Sequence, residues 1–205
     1  MDERTRALVR LSAALTGREG DLPGVMDDAA AAAPREAEEV LLQSYLFLGF
    51  PVALNAFGLW RRRTGRAGPR DGGEEDAAGV AWLAHGEEVC RAVYGGQYEA
   101  LRHLMAGLHP ALDRWAVAEG YGKVLGRDAL DLPTRELCIA ALLAGTTASR
   151  QLHAHLRGCL NVGVGPERVD AMLDAVSDLL PAGRAEEAGR VWQRVRARWA
   201  ERTEG

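Results

Sequence analysis

The sequence predicts an all-α protein, a helical bundle of two tandem repeats. Three observations predict it. Apolar residues recur at helical spacing along almost the whole chain, and no stretch alternates cleanly as a half-buried strand would. An ordered set of residues also returns at a nearly constant offset.

Thr5-Arg6 and Leu8 recur as Thr134-Arg135 and Leu137, at an offset of 129. Pro51 recurs as Pro181 at 130, and Pro34 and Trp60 recur as Pro166 and Trp192 at 132. Small loop insertions produce such a drift. In each copy a helix follows the Thr-Arg pair, then a glycine-containing loop and a second helix. A proline opens a third helix, and a last helix ends near the tryptophan. The copies differ in polar content: Ala7 stands opposite Glu136, and Gly24, Val25 and Met26 stand opposite His155.

Bulk composition narrows the function classes. The chain has 205 residues, 47% hydrophobic and 26% charged, which is ordinary for a folded globular protein. A net charge of -4 gives no electrostatic reason to expect a nucleic-acid partner. The run Arg61-Arg62-Arg63 reads as a solvated helix C-terminus, where cations are favoured. The N-terminus lacks the apolar core of a signal peptide, and no stretch approaches the roughly 18 apolar residues of a membrane span. Cys90, Cys138 and Cys159 are odd in number and far apart, so neither a disulfide framework nor a metal cluster is expected. A cytoplasmic protein with reduced thiols and no membrane partner follows.

Residues 1–62 form the first repeat. Within it, Leu41, Leu42, Tyr45, Leu46, Phe47, Leu48 and Phe50 predict a helix apolar nearly all round across 41–60, buried in a core or against another subunit. Residues 63–80, rich in glycine and charge, read as a linker. Residues 81–129 supply further helices to the second domain, 81–205.

That domain contains "LDLPTRELCIAALLAG" (130–145), with Asp131 and Pro133 as start signals and Gly145 as a stop. Glu136 falls in its first turn, where the helix dipole alone accounts for a carboxylate. The next helix is expected after Thr146-Thr147 and ends near Asn161, with Gly163 beyond. Leu152, His155, Leu156, Cys159 and Leu160 form its apolar stripe, so His155 points inward. His153 and Arg157 share the neighbouring wet flank. On composition alone His155 is a core histidine, Asn161 a cap and Cys159 a small core residue. His153 and His155, two apart, diverge on a helix, so no metal site is expected. "NVGVG" follows a helix rather than opening one, which disfavours a phosphate loop.

The stretch "YGKVLGRDALDLPTRELCIAALLAGTTASRQLHAHLRGCLNVGVGPERV" (121–169) resembles the carboxymuconolactone decarboxylase family of the alkylhydroperoxidase D-like superfamily. The resemblance rests on Tyr121-Gly122, Arg127, Thr134-Arg135-Glu136 and His155-x-Arg157-Gly158-x-x-Asn161-x-Gly163. Residues 39–60 resemble the closing segment of the same domain. The peroxidase branch carries a Cys-x-x-Cys pair where this chain has Ala148 and Gln151, so thiol peroxidase chemistry is not implied. What the resemblance implies is a cofactor-free decarboxylase or lactone-processing enzyme acting on a small carboxylated ring compound. His155 and Glu136 would be catalytic, with Arg157, Asn161 and Tyr121 binding substrate. A homo-oligomer, for instance a trimer, is implied as well. The alternative is a non-catalytic member that binds a ligand or partner through the aromatic segment 41–60.

Overall fold

The computed structural model describes residues 1–67 and 80–203; most of the expected linker, 68–79, lies outside the described residues. Every regular element among the described residues is helical. The first half contributes α1 (Glu3–Ala14), α2 (Leu22–Ala32), α3 (Pro34–Gln43) and α4 (Tyr45–Thr64). The second contributes α5 (Val80–Tyr94), α6 (Tyr98–Leu108), α7 (Pro110–Trp115) and a π-helical segment, Ala116–Leu125. It continues with α8 (Leu132–Ala144), α9 (Ser149–Asn161), α10 (Pro166–Val176) and α11 (Arg184–Thr203).

Helix starts follow local chemistry. Asp2 caps α1 by accepting from the Thr5 N–H at 2.7 Å, and Asp131 caps α8 by accepting from the Thr134 N–H at 2.9 Å. Such caps contribute about 1 kcal/mol each. Pro34 and Pro166 occupy first-turn positions of α3 and α10, where a missing N–H costs nothing. The α9 terminus is a Schellman turn, with Val164 N–H donating to the Cys159 carbonyl and Gly163 at a φ of 87°.

Equivalent bonds recur between the halves. Trp60 Nε1 donates to Glu38 Oε1 at 3.1 Å, and Trp192 Nε1 donates to Asp170 Oδ1 at 2.6 Å, each across 22 residues. An arginine joins each carboxylate: Arg61 on Glu38 and Arg196 on Asp170. The core runs through α1 and α8, which pack together and share the bond from Ser12 Oγ to the Cys138 carbonyl.

Segment 41–60 departs from the expected single helix. The chain bends by 116° between α3 and α4, and Gly49, at φ 80° and ψ 165°, breaks α4 after its first turn. Only glycine adopts that conformation freely. The apolar residues are consequently divided: Leu41 is buried, Tyr45 to Leu48 are half-buried, and Phe50 and Leu54 are 62% and 67% exposed. The Arg61–Arg63 turn is only partly solvated, since Arg61 pairs with Glu38 and Arg63 with Asp27. No single helix among the described residues is long and apolar enough to cross a membrane.

Two smaller corrections concern the second domain. Because α8 begins at Leu132, Glu136 lies past the first turn, so the dipole argument does not explain it. Helix α9 begins at Ser149 without a side-chain cap, and Thr146 bonds the Leu143 carbonyl and the Ala148 N–H instead.

Candidate active site

Helices α8 and α9 run antiparallel through the core, and each turns one ionisable side chain towards the other. All of Thr134 to Ala144 is buried, so Glu136 has no route to solvent and is 0% exposed. On α9, Leu152, His155, Leu156, Cys159 and Leu160 are all buried, as the stripe predicts, and His155 is 4% exposed. His155 Nδ1–H donates to Glu136 Oε2 at 2.9 Å. With Nδ1 engaged by the carboxylate, Nε2 has no other partner among the described residues. The second carboxylate oxygen, Oε1, is buried without a hydrogen bond. An unmet buried acceptor costs about 1–3 kcal/mol, more when charged.

Residues 110–193 match the sequence model of the carboxymuconolactone decarboxylase family. The chain is similar to that family over this segment. The segment spans α7 to the first half of α11 and holds Tyr121, Glu136, His155, Arg157 and Asn161. Among curated proteins, none matches the chain.

Two side chains from outside the matched segment, Phe47 and Tyr94, lie beside the pair, and a third, Glu39, bonds Arg127 and Arg135. Phe47 of α4 meets the His155 ring edge-to-face, with centroids 5.6 Å apart. Tyr94 of α5 accepts a hydrogen bond from the Tyr121 hydroxyl at 3.2 Å. Burial pushes the Tyr94 phenol up to about 12 and Tyr121 well above its ordinary range, and the nearby Glu136 charge adds to both. Both phenols therefore stay protonated near neutral pH. Glu39 of α3 anchors the first half. Arg135 donates to Glu39 Oε2 at 3.1 Å and to Gln43 Oε1 at 3.1 Å, and Arg127 donates to both Glu39 oxygens at 3.1 Å. Arg135 is fully buried, and burial pulls its pKa down against the pull of Glu39.

The five expected site residues do not converge. Glu136 and His155 meet, with the Tyr121–Tyr94 pair close by. Asn161 Nδ2 donates to the Val93 carbonyl at 2.7 Å, tying α9 to the end of α5. Arg157 opens instead into a cavity of about 110 Å³ shared with His153, Val195, Arg198, Trp199 and Arg202. His153 is half-buried there rather than wet. The sequence reading missed Phe47 and Tyr94 as neighbours of the site. Neither belongs to a motif, and Phe47 was read only as one residue of an apolar helix buried in a core or against another subunit.

All three cysteines are buried. Burial pushes the Cys90 and Cys138 thiols up to about 12 and Cys159 well above its ordinary value. None supplies a thiolate near pH 7.

Proposed function

We propose that the protein is a cofactor-free decarboxylase or lactone-processing enzyme for a small carboxylated ring compound, with His155 and Glu136 as its acid–base pair. The buried 2.9 Å contact between the two, inside the segment similar to the family, carries this reading. Loss of carbon dioxide leaves an electron pair that a conjugated lactone carbonyl holds as an enolate. The imidazolium form of His155 then delivers a proton from Nε2 to carbon, while Glu136 orients the ring through Nδ1 and stabilises its charge. The substrate's own carbonyl is the electron sink. No direct substrate contact is assigned to Arg157 or Asn161, and Tyr121 with Tyr94 supplies hydroxyl donors beside the pair.

In this reading residues 1–62 are a degenerate copy of the same unit. The matched caps and tryptophan–carboxylate bonds support it. Ala7 and Met26, both buried and spaced like Glu136 and His155, take the places of the pair and leave that half without an acid or base. The exposed Phe50, Leu54, Leu108 and Trp115 support self-association, a trimer among the arrangements open to a duplicated chain.

The near-complete burial of the pair favours a second reading, a non-catalytic ligand-binding or scaffold member of the family. A panel of muconolactone-type and quinone-like carboxylates separates the two. Wild type without added cofactor should release carbon dioxide or open the lactone from one of them. Binding of a panel member without turnover would favour the second reading.

A further inference from the structure

Arg157 and His153 stand one turn apart on α9, and Arg198 and Arg202 stand one turn apart on α11, all four lining the 110 Å³ cavity between those helices. Like charges at that spacing repel, as Arg198 and Arg202 do, and Arg157 faces them from α9. Among the described residues no carboxylate answers them. Among the described residues the side chains of Arg157, Arg198 and His153 form no hydrogen bond or ion pair, and that of Arg202 meets only the Trp199 ring, 5.6 Å from its centroid. Glu201 is exposed on α11 and pairs with none of them. Arg157 and His153 are half-buried, so water compensates them only in part. Burial and the neighbouring cations lower the pKa of both, a mark of positive charge without its counter-ion.

We propose that this cavity binds a phosphoryl dianion, either inorganic phosphate or the phosphoryl end of a small monoester, held by Arg157, Arg198, Arg202 and His153. The charge count selects the class. Three permanent guanidinium charges exceed what one carboxylate neutralises, whereas a phosphoryl group carries about -1.5 to -2 and three terminal oxygens. Guanidinium forks match those oxygens geometrically. The volume suits one such group, with Val195 and Trp199 flanking a short organic tail. Neither Glu136 nor His155 lines the cavity, so the site stands independently of the proposed reaction.

Calorimetric titration of the full chain with inorganic phosphate and with glycerol phosphate, at fixed ionic strength in chloride, tests it. Saturable binding is expected, weakened about tenfold or more by Arg157→Gln and by Arg198→Gln. Arg198 is exposed, so its variant keeps the fold. Binding should survive Glu136→Gln, and the ring protons of His153 should titrate at higher pH once the site is filled. The tighter of the two ligands identifies the source. Acetate binding as tightly as phosphate, indifference to both arginine variants, or a response matched by chloride alone would overturn the proposal.

Discussion

A Cβ placed on Gly158 would stand 2.6 Å from Oε2 of Glu136, the same oxygen that holds His155. The glycine thus makes room for the carboxylate at its hydrogen bond. In an exposed helix Gly→Ala gains about 0.8–1.0 kcal/mol, whereas here the methyl group also meets Val93 Cγ1 at 2.9 Å. Displacing the carboxylate sacrifices a charge-assisted bond of about 1.5–3 kcal/mol, so the clash wins. Gly158→Ala is expected to lower the melting temperature and to shift the His155 ring resonances. An unchanged His155 spectrum would contradict the geometry.

Phe47 is expected to report on the same site from the other half of the chain. Its edge-to-face contact with His155 is of a kind that contributes about 0.5–1.5 kcal/mol. Phe47→Leu should move the His155 ring proton signals and leave those of His103, exposed on α6, in place. Equal movement of both would indicate a general loosening.

The thiols are expected to be inert in the folded protein. With Cys90, Cys138 and Cys159 buried and their pKa values raised, a thiol reagent at pH 7 should label none of them rapidly. All three should react once the chain is denatured. Rapid native labelling, or peroxide reduction driven by a dithiol, would overturn this account.

Much of the second domain was legible in the sequence because its signals are local. The Asp131 cap, the apolar stripe on α9 and the Gly163 stop each depend on a few adjacent residues and on backbone geometry. The break in 41–60 was not, although Gly49 and Pro51 stood in the sequence: the apolar periodicity runs through them, and helical spacing does not register a turn of 116°. Contacts between distant segments were hidden for a further reason. Glu39 with Arg135 and Tyr94 with Tyr121 carry no shared motif, and only packing brings them together. Arg157 was placed on the right flank of α9, but the cavity there is built by α11, whose cations no local pattern connects to it.

His153 should make stability depend on mild acidity. Its folded-state pKa lies below the ordinary 6.5, first through burial and then through the charges of Arg157, Arg198 and Arg194. Between the two values the unfolded chain binds more protons, so stability rises with pH across that window and falls as pH drops through the folded value. His153→Gln should flatten the dependence of melting temperature on pH in the mildly acidic range below about 6.5. An equally steep profile in the variant would assign the acid sensitivity elsewhere.

The central claim is that His155, oriented by Glu136, donates the proton that completes the reaction. On the substrate that wild type turns over, kcat/KM for His155→Ala, with His103→Ala as the exposed control, tests it most directly. The account predicts a loss of roughly 10²–10⁴-fold for His155→Ala, with an unaltered far-ultraviolet spectrum and little change in the control. A folded His155→Ala protein that turns over as fast as wild type would contradict it.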